Sequence, residues 1–374
     1  MQEEHIFVRV IAIANQKGGC GKTTTSINLA ACLAHLQKRV LLVDLDPQGH
    51  SSCGLGIRAE RLAYTLYDLL GQNFQEAKPP IREVLHEINP YFLLLPSYSV
   101  LAALEEELVN QADREKRLKN ELERVSQELR DIDYAILDCP PNLGILTFNA
   151  LEAADEVIIP IEPSFFSLHG LAKISETLHL VKCRRDRSLD IHALLTLFDS
   201  RTCFAREIYE EVKTHFRGKL FKTIIHESVV LKEAAASGKS VVQHDLQSQA
   251  YRDYFNLAVE YLEREWSRAL PEQGLGWNHL LATRYGPRRV MGGVLFQFAS
   301  KNARTVEIAG DFNGWIPEPL VYRPDQELWQ KIIPVEKGNF RYKYIIDGEW
   351  QMDPDYPVKR ENVFGSFDSY LELV

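Results

Sequence analysis

Lys17-Gly18-Gly19-Cys20-Gly21-Lys22-Thr23-Thr24 constrains the fold of this 374-residue chain more than any other stretch. The run before it, Val8-Arg9-Val10-Ile11-Ala12-Ile13-Ala14, is nearly all apolar, as a strand buried in a parallel sheet should be. After it, Ile27, Ala30, Ala31, Leu33 and Ala34 recur at helical spacing, so a helix starts where the glycines stop. Strand, glycine loop and helix N-terminus together surround a phosphate chain with backbone N–H groups. In that context Lys22 reaches the β- and γ-phosphates and Thr23 ligates Mg²⁺, with Gly18, Gly19, Cys20, Gly21 and Thr24 completing the cradle. The competing reading, a glycine turn with no ligand, leaves the complete match unexplained. Lys17, a second lysine at the loop's entrance, suits a cation projecting toward another protomer's nucleotide; a merely solvated lysine is the alternative.

With those residues in place the chain resembles the ParA/MinD-type ATPases, a deviant P-loop family, over residues 5 to about 265. The resemblance implies an α/β fold, a P-loop NTPase whose mostly parallel sheet is covered by helices on both faces. It also implies ATP and Mg²⁺ as cofactors and an ATP-dependent homodimer coupled through Lys17. The activity implied is slow ATP hydrolysis, stimulated by a second protein, that positions or partitions a cargo. Further segments follow in the family's order. Val40-Leu41-Leu42-Val43-Asp44-Leu45-Asp46 delivers two carboxylates at the end of a buried strand, where ligands of parallel sheets sit. By the resemblance Asp46 positions the attacking water, acting with Lys17 and Lys22, and Asp44 supports the magnesium shell. Phosphoryl transfer needs such positioning more than covalent chemistry. Tyr134-Ala135-Ile136-Leu137-Asp138 ends before two prolines, and Asp138 reads as the Walker B carboxylate, holding Mg²⁺ through water. Val157 to Pro163, then Leu168 to Leu171, resembles the family's next strand and helix.

Composition agrees. A 45% hydrophobic content at this length supports large cores and two domains. No apolar run approaches the ~18 residues of a membrane span, and Met1 to His5 is acidic where a secretory signal is basic. A cytoplasmic protein is expected, with no membrane contact. The six cysteines, at 20, 32, 53, 139, 183 and 203, form no CxxC pair and are expected to be reduced. Cys20 sits where a helix N-terminus can lower a thiol pKa, which suggests redox control; a small residue filling the loop is the simpler reading. Between Leu101 and Asp131, Leu118, Leu122, Val125 and Leu129 form a stripe that one amphipathic helix on the sheet explains. Ile191 to Phe198 reads as another strand.

Members of the resembled family differ in cargo. Those that bind nucleoid DNA carry a Pro-Arg-Asn-x-Arg-Leu type segment, which here reads Ile224 to Glu233 with Glu227 and Val230 at the arginine positions. A second basic patch corresponds to Asp245 to Ala250, which has no cation, although Arg201, Arg206, Lys232 and Lys239 lie nearby. Each lost phosphate contact lowers the salt slope by roughly 0.9 for duplex DNA. With a net charge of −9, nucleic acid is disfavoured, and chromosome or plasmid partition on DNA stands as the alternative.

From about Trp266 to Arg289 the chain reads as a linker rich in Gly and Pro, and beyond it the pattern becomes short β-like runs separated by turns. Runs at Val294–Phe298, Thr305–Gly310, Trp329–Val335 and Phe340–Ile346 predict a small β-sandwich of the early-set, immunoglobulin-like kind over 290–374. Gly310-Asp311-Phe312-Asn313-Gly314-Trp315 and Asp347-Gly348-Glu349-Trp350 each place a tryptophan beside a turn. Together they resemble the glycogen- and starch-binding module of the AMP-activated kinase β-subunit. The resemblance implies an α-glucan ligand, with Trp315 and Trp350 as a stacking platform and Lys343 bonding a hydroxyl. Asp368 stands where an asparagine is common and, when ionised, accepts but does not donate. A scaffold whose β-module contacts a partner protein is the other reading. Such modules often precede amylase-type barrels, but the ATPase-like region here argues against glycosidic chemistry.

Overall fold

Strands that are apolar at every position can be buried on both faces only inside a sheet covered by helices, and the first half of this chain is built that way. The computed structural model describes residues 8–71, 78–109, 111–129, 131–164, 188–269, 287–290, 293–300, 302–323, 328–335, 337–354, 356, 358–362 and 367–373. It divides into two units, Met1–Tyr261 and Leu262–Val374. The first contains β1 (Arg9–Ile13), β2 (Val40–Asp44), β3 (His86–Asn89), β4 (Phe92–Leu95), β5 (Tyr134–Asp138), β6 (Glu156–Ile161) and β7 (Asp190–Leu195). These form one sheet in the order β3-β4-β2-β5-β1-β6-β7, parallel throughout except for the β3 edge. Val10, Ala12, Leu41 and Val43 face a core shared with Leu118, Leu122 and Leu146. Ile11, Ile13, Leu42 and Ile136 alternate with them and are equally buried, so the opposite face is covered as well.

The first helix, α1 (Lys22–His35), begins directly after Gly21, whose φ of 85° takes the left-handed region open to glycine. The expected single helix across 101–131 is instead broken. Short turns at Ser99–Ala103 and Leu104–Glu107 precede a 3₁₀ turn at Arg114–Lys116 and the helix Arg117–Glu128. Asp113 stands at φ 53°, a left-handed position that ends one helical path before the next begins. The stripe of Leu118, Leu122, Val125 and Leu129 is buried, so core packing explains it. The helix pattern expected at Leu168 to Leu171 lies outside the described residues. Among the described cysteines, 20, 32, 53, 139 and 203 are free thiols; Cys183 lies outside. No described helix is long and apolar enough to cross a membrane.

The helix Gln249–Ala269 runs past Trp266, and β8 starts at Arg288, so both ends of the expected 266–289 linker lie in regular structure. The second unit holds β8 (Arg288–Val290), β9 (Gly293–Ala299), β10 (Val306–Gly310), β11 (Glu318–Pro319), β12 (Val321–Arg323), β13 (Leu328–Ile333), β14 (Gly338–Ile346), β15 (Glu349–Gln351), β16 (Lys359–Glu361) and β17 (Phe367–Leu373). One sheet runs β11-β10-β14-β17-β16 with β15 paired to β14, and the other runs β12-β13-β9-β8. Their inner faces share Val294, Phe296, Ile308, Tyr342, Tyr344 and Leu371. This antiparallel sandwich has one face of each sheet left for solvent.

Leu118 is fully buried where the helix Arg117–Glu128 meets the sheet core. Leu118→Ala is expected to destabilise the first unit by about 3 kcal/mol, the usual cost of a Leu-to-Ala cavity. Urea denaturation followed by circular dichroism checks it.

Candidate functional site

Asp44 and Asp138 are register partners at the ends of adjacent strands β2 and β5, and both are completely buried. Their neighbours are hydroxyls. Asp138 accepts from Ser26 Oγ at 3.0 Å and Ser51 Oγ at 2.8 Å, while Asp44 Oδ2 accepts from Ser52 Oγ at 2.7 Å and Ser52 N at 2.8 Å. Burial pushes the Asp44 carboxyl up to about 8, the Asp138 charge adding to it and the Ser52 bonds opposing it. Burial also raises Asp138, against the hydrogen bonds of Ser51, Thr23 and Ser26. Two carboxylates so placed repel unless a proton or a cation sits with them, which is the donor set a hard divalent cation takes. Thr23, in the first turn of α1, hydrogen-bonds Asp138, so the residues present fit Mg²⁺.

The loop itself is closed over its own backbone. Lys22 Nζ donates to Lys17 O at 2.9 Å, Cys20 Sγ to the same carbonyl at 3.2 Å, and Thr196 Oγ1 to Cys20 O at 2.8 Å. Burial pushes the Cys20 thiol up, with the Lys22 and Lys17 charges only partly opposing it. The redox suggestion for Cys20 is therefore not supported: helix-terminus stabilisation of a thiolate is outweighed by desolvation, and Cys20 is a space-filling residue. Gly18 and Gly19 leave open space where a side chain would stand.

Asp46 follows two residues after Asp44, with its side chain one-tenth exposed and His50 Nδ1 at 3.9 Å from its Oδ2. Its Oδ1 accepts from Gln48 N at 2.9 Å, and its carbonyl holds Gly49 N at 2.8 Å and Ser97 Oγ at 2.9 Å. Gly49 has φ 62°, and a Cβ there would stand 2.6 Å from Ser97 O, so only glycine lets the chain turn into α2 (His50–Gly54), which carries Ser51 and Ser52. Lys17 is held within its own chain, ion-paired to Glu162 and donating to Ser164 Oγ at 2.7 Å. Nothing in the sequence pattern pointed to Glu162. It stands immediately after β6, 145 residues away, and meets Lys17 because β6 pairs with β1.

Two of the four cations near the segment at Ile224 to Glu233 form exposed ion pairs. Arg201 pairs with Asp199 at 2.8 Å and Lys232 with Glu227 at 3.6 Å.

In the second unit, Trp315 and Trp350 lie with ring centroids 6.3 Å apart and planes at 31°. Trp350 is 49% exposed. Trp315 has φ 62°, a left-handed conformation costly for a bulky residue. Asp311 fixes it, accepting from Trp315 Nε1 at 2.9 Å and from Arg341 N at 2.8 Å. Asn313 braces the same turn through Gly310 N and Ile316 O. Lys343 Nζ meets Asp368 at 3.1 Å on the same outward sheet face. Flat apolar rings beside a few fixed polar groups suit a sugar ring.

Comparison with known proteins decides the family. The chain is 42% identical to the chromosome partitioning protein ParA of Myxococcus xanthus over 69% of its own length and 89% of that protein's. It is 43% identical to the sporulation initiation inhibitor protein Soj of Bacillus subtilis, over 67% of its own length and 97% of that protein's. The chain belongs to the ParA/Soj family of P-loop ATPases. A family model described as the AAA domain matches residues 8–191. A second, described as the glycogen recognition site of AMP-activated protein kinase, matches residues 293–374. Among solved structures, the cobyrinic acid a,c-diamide synthase of Mycobacterium smegmatis with bound ADP and magnesium superposes with a TM-score of 0.60. It is 31% identical and covers 71% of this chain and 97% of its own.

A folded-state pKa raised above the unfolded one contributes stability that is complete below the unfolded pKa and is lost as pH rises through the folded value. For Asp44, without Mg²⁺-nucleotide, stability is expected to fall as pH rises from about 5 through about 8. Asp44→Asn is expected to flatten that slope, and thermal unfolding across this range checks it.

Proposed function

We propose that this chain is an ATP hydrolase that dimerises on ATP and uses the cycle to position a cargo, with its C-terminal module attaching to α-glucan. The observation that carries the ATPase half is the pair of buried, adjacent carboxylates, Asp44 and Asp138, beside the glycine loop. In this reading the backbone of Gly18 to Thr24 and the Lys22 ammonium hold the phosphates. Thr23 and Asp138 hold Mg²⁺, with Asp44 bonding its waters. The bound metal supplies charge neutralisation at the phosphates. Asp46, two residues beyond Asp44, orients the attacking water. Lys17 exchanges Glu162 and Ser164 for the nucleotide of a second copy.

The ATPase region ends near residue 265, and 290–374 forms the module in this proposal. The ring pair of exposed Trp350 and half-buried Trp315 supports a glucan ligand over fully buried, purely structural tryptophans. The pairing of Arg201 and Lys232 with carboxylates weighs against nucleoid DNA as the cargo surface. A cytoplasmic location and a separate protein that accelerates hydrolysis complete the reading. A dimer presents two modules where a monomer presents one, and two linked weak sites gain about 10²- to 10⁴-fold in apparent affinity when geometry lets both engage.

Glycogen co-sedimentation tests this. ATP is expected to increase pelleting, Lys17→Ala to abolish the increase and Asp46→Ala to prolong it. Equal pelleting of all three proteins with and without ATP overturns the switch. Undiminished pelleting of folded Trp315→Ala/Trp350→Ala overturns the carbohydrate site.

A further inference from the structure

The Lys343–Asp368 pair sits at the centre of the outward sheet face, and its shielding distinguishes it from an ordinary surface salt bridge. The two side chains are 15% and 5% exposed, and the ammonium and carboxylate are 3.1 Å apart. Asn362 Nδ2 donates to the same Asp368 Oδ1 at 2.8 Å, a second donor that fixes this oxygen. Withdrawn from water, neither charge can be left alone cheaply, so each holds the other in place.

The surroundings do not restore a positive field. By strand alternation and register, Arg341 and Arg360 lie on this face, and so do Glu307 and Glu372, with Asp311 at its border. The Arg360 guanidinium stacks 3.9 Å from the Tyr370 ring. Among the described residues of this face outside the central pair, two cations thus meet three carboxylates. An asparagine in place of Asp368 would keep a hydrogen-bond acceptor for Lys343 but leave the ammonium uncompensated beside the tryptophan platform.

We propose that Asp368 is a specificity-determining residue: by neutralising Lys343 it makes the module select neutral α-glucan against glucan bearing phosphate. This rests on the α-glucan reading of the module and assigns that ligand its charge class. Lys343 then acts as a short-range hydroxyl donor, while the indoles supply the contact area. A free ammonium would instead form a charge-assisted bond to a phosphate oxygen, and that attraction would weaken with salt.

Isothermal titration of the full chain with maltoheptaose, and with maltoheptaose carrying phosphate on a primary hydroxyl, tests the assignment. The wild type is expected to bind the phosphorylated sugar no more tightly than the neutral one. In Asp368→Asn the ratio of phosphorylated to neutral affinity is expected to rise about tenfold at low salt and to shrink as salt is added. Lys343→Gln, which leaves Asp368 uncompensated, is expected to move the ratio the other way, a reversal that general loosening of the fold does not produce. A wild type that prefers the phosphorylated sugar, or a ratio unmoved in both variants, overturns the charge assignment while leaving the glucan site standing. Absence of binding to either sugar by the folded wild type overturns both.

Discussion

The burial of two carboxylates side by side at the ends of β2 and β5 is the constraint around which the first unit is arranged. Ionised together they are unfavourable, and the chain surrounds them with hydroxyl donors from two directions: Ser26 from α1, Ser51 and Ser52 from α2. Both helices are short-range consequences of glycines. Gly21 releases the chain into α1, and Gly49 turns it into α2 under the Ser97 carbonyl. The sheet order, which puts β5 between β2 and β1, brings the two strand ends next to the glycine loop. Six parallel strands with both faces covered hold that corner rigid.

The second unit meets the opposite problem. On its outward sheet face Trp350 is exposed while Trp315 and Lys343 are part-buried, so order there comes from hydrogen bonds as well as from burial. Asp311 and Asn313 hold the turn at Trp315 in a conformation the residue would not choose alone. Asp368 does the same for Lys343. Side chains held in this way by their own chain have less freedom left to lose, which lowers the ordering cost of any contact made there.

Much of this was legible in the sequence where the signal is local. The continuous apolar runs of β1, β2 and β5 and their terminal aspartates reveal both the parallel sheet and its site, because burial on both faces leaves no polar position to confuse the pattern. The segment from Leu101 to Asp131 misled because the stripe from Leu118 to Leu129 was extended back over residues that Asp113, at φ 53°, separates from that helix. The short strands β11, β15 and β16 went unread; at two or three largely exposed residues each they carry little apolar periodicity. Cys20 misled in another way. Proximity to a helix start is visible in sequence, but full burial of the thiol is a tertiary fact. The partners of Lys17 and Lys343 are likewise products of strand adjacency, which spacing along the chain does not encode.

Lys17 shows what such a product entails. Its ammonium already has a carboxylate and a hydroxyl from its own chain, so leaving them forfeits contacts comparable to those it would form elsewhere. Any new engagement of this lysine is an exchange between nearly matched partners. Exchanges of that kind have small driving forces and run in either direction, so in the proposed cycle Glu162, fixed just after β6, acts as a return spring: it sets how readily the lysine comes home once a competing anion departs.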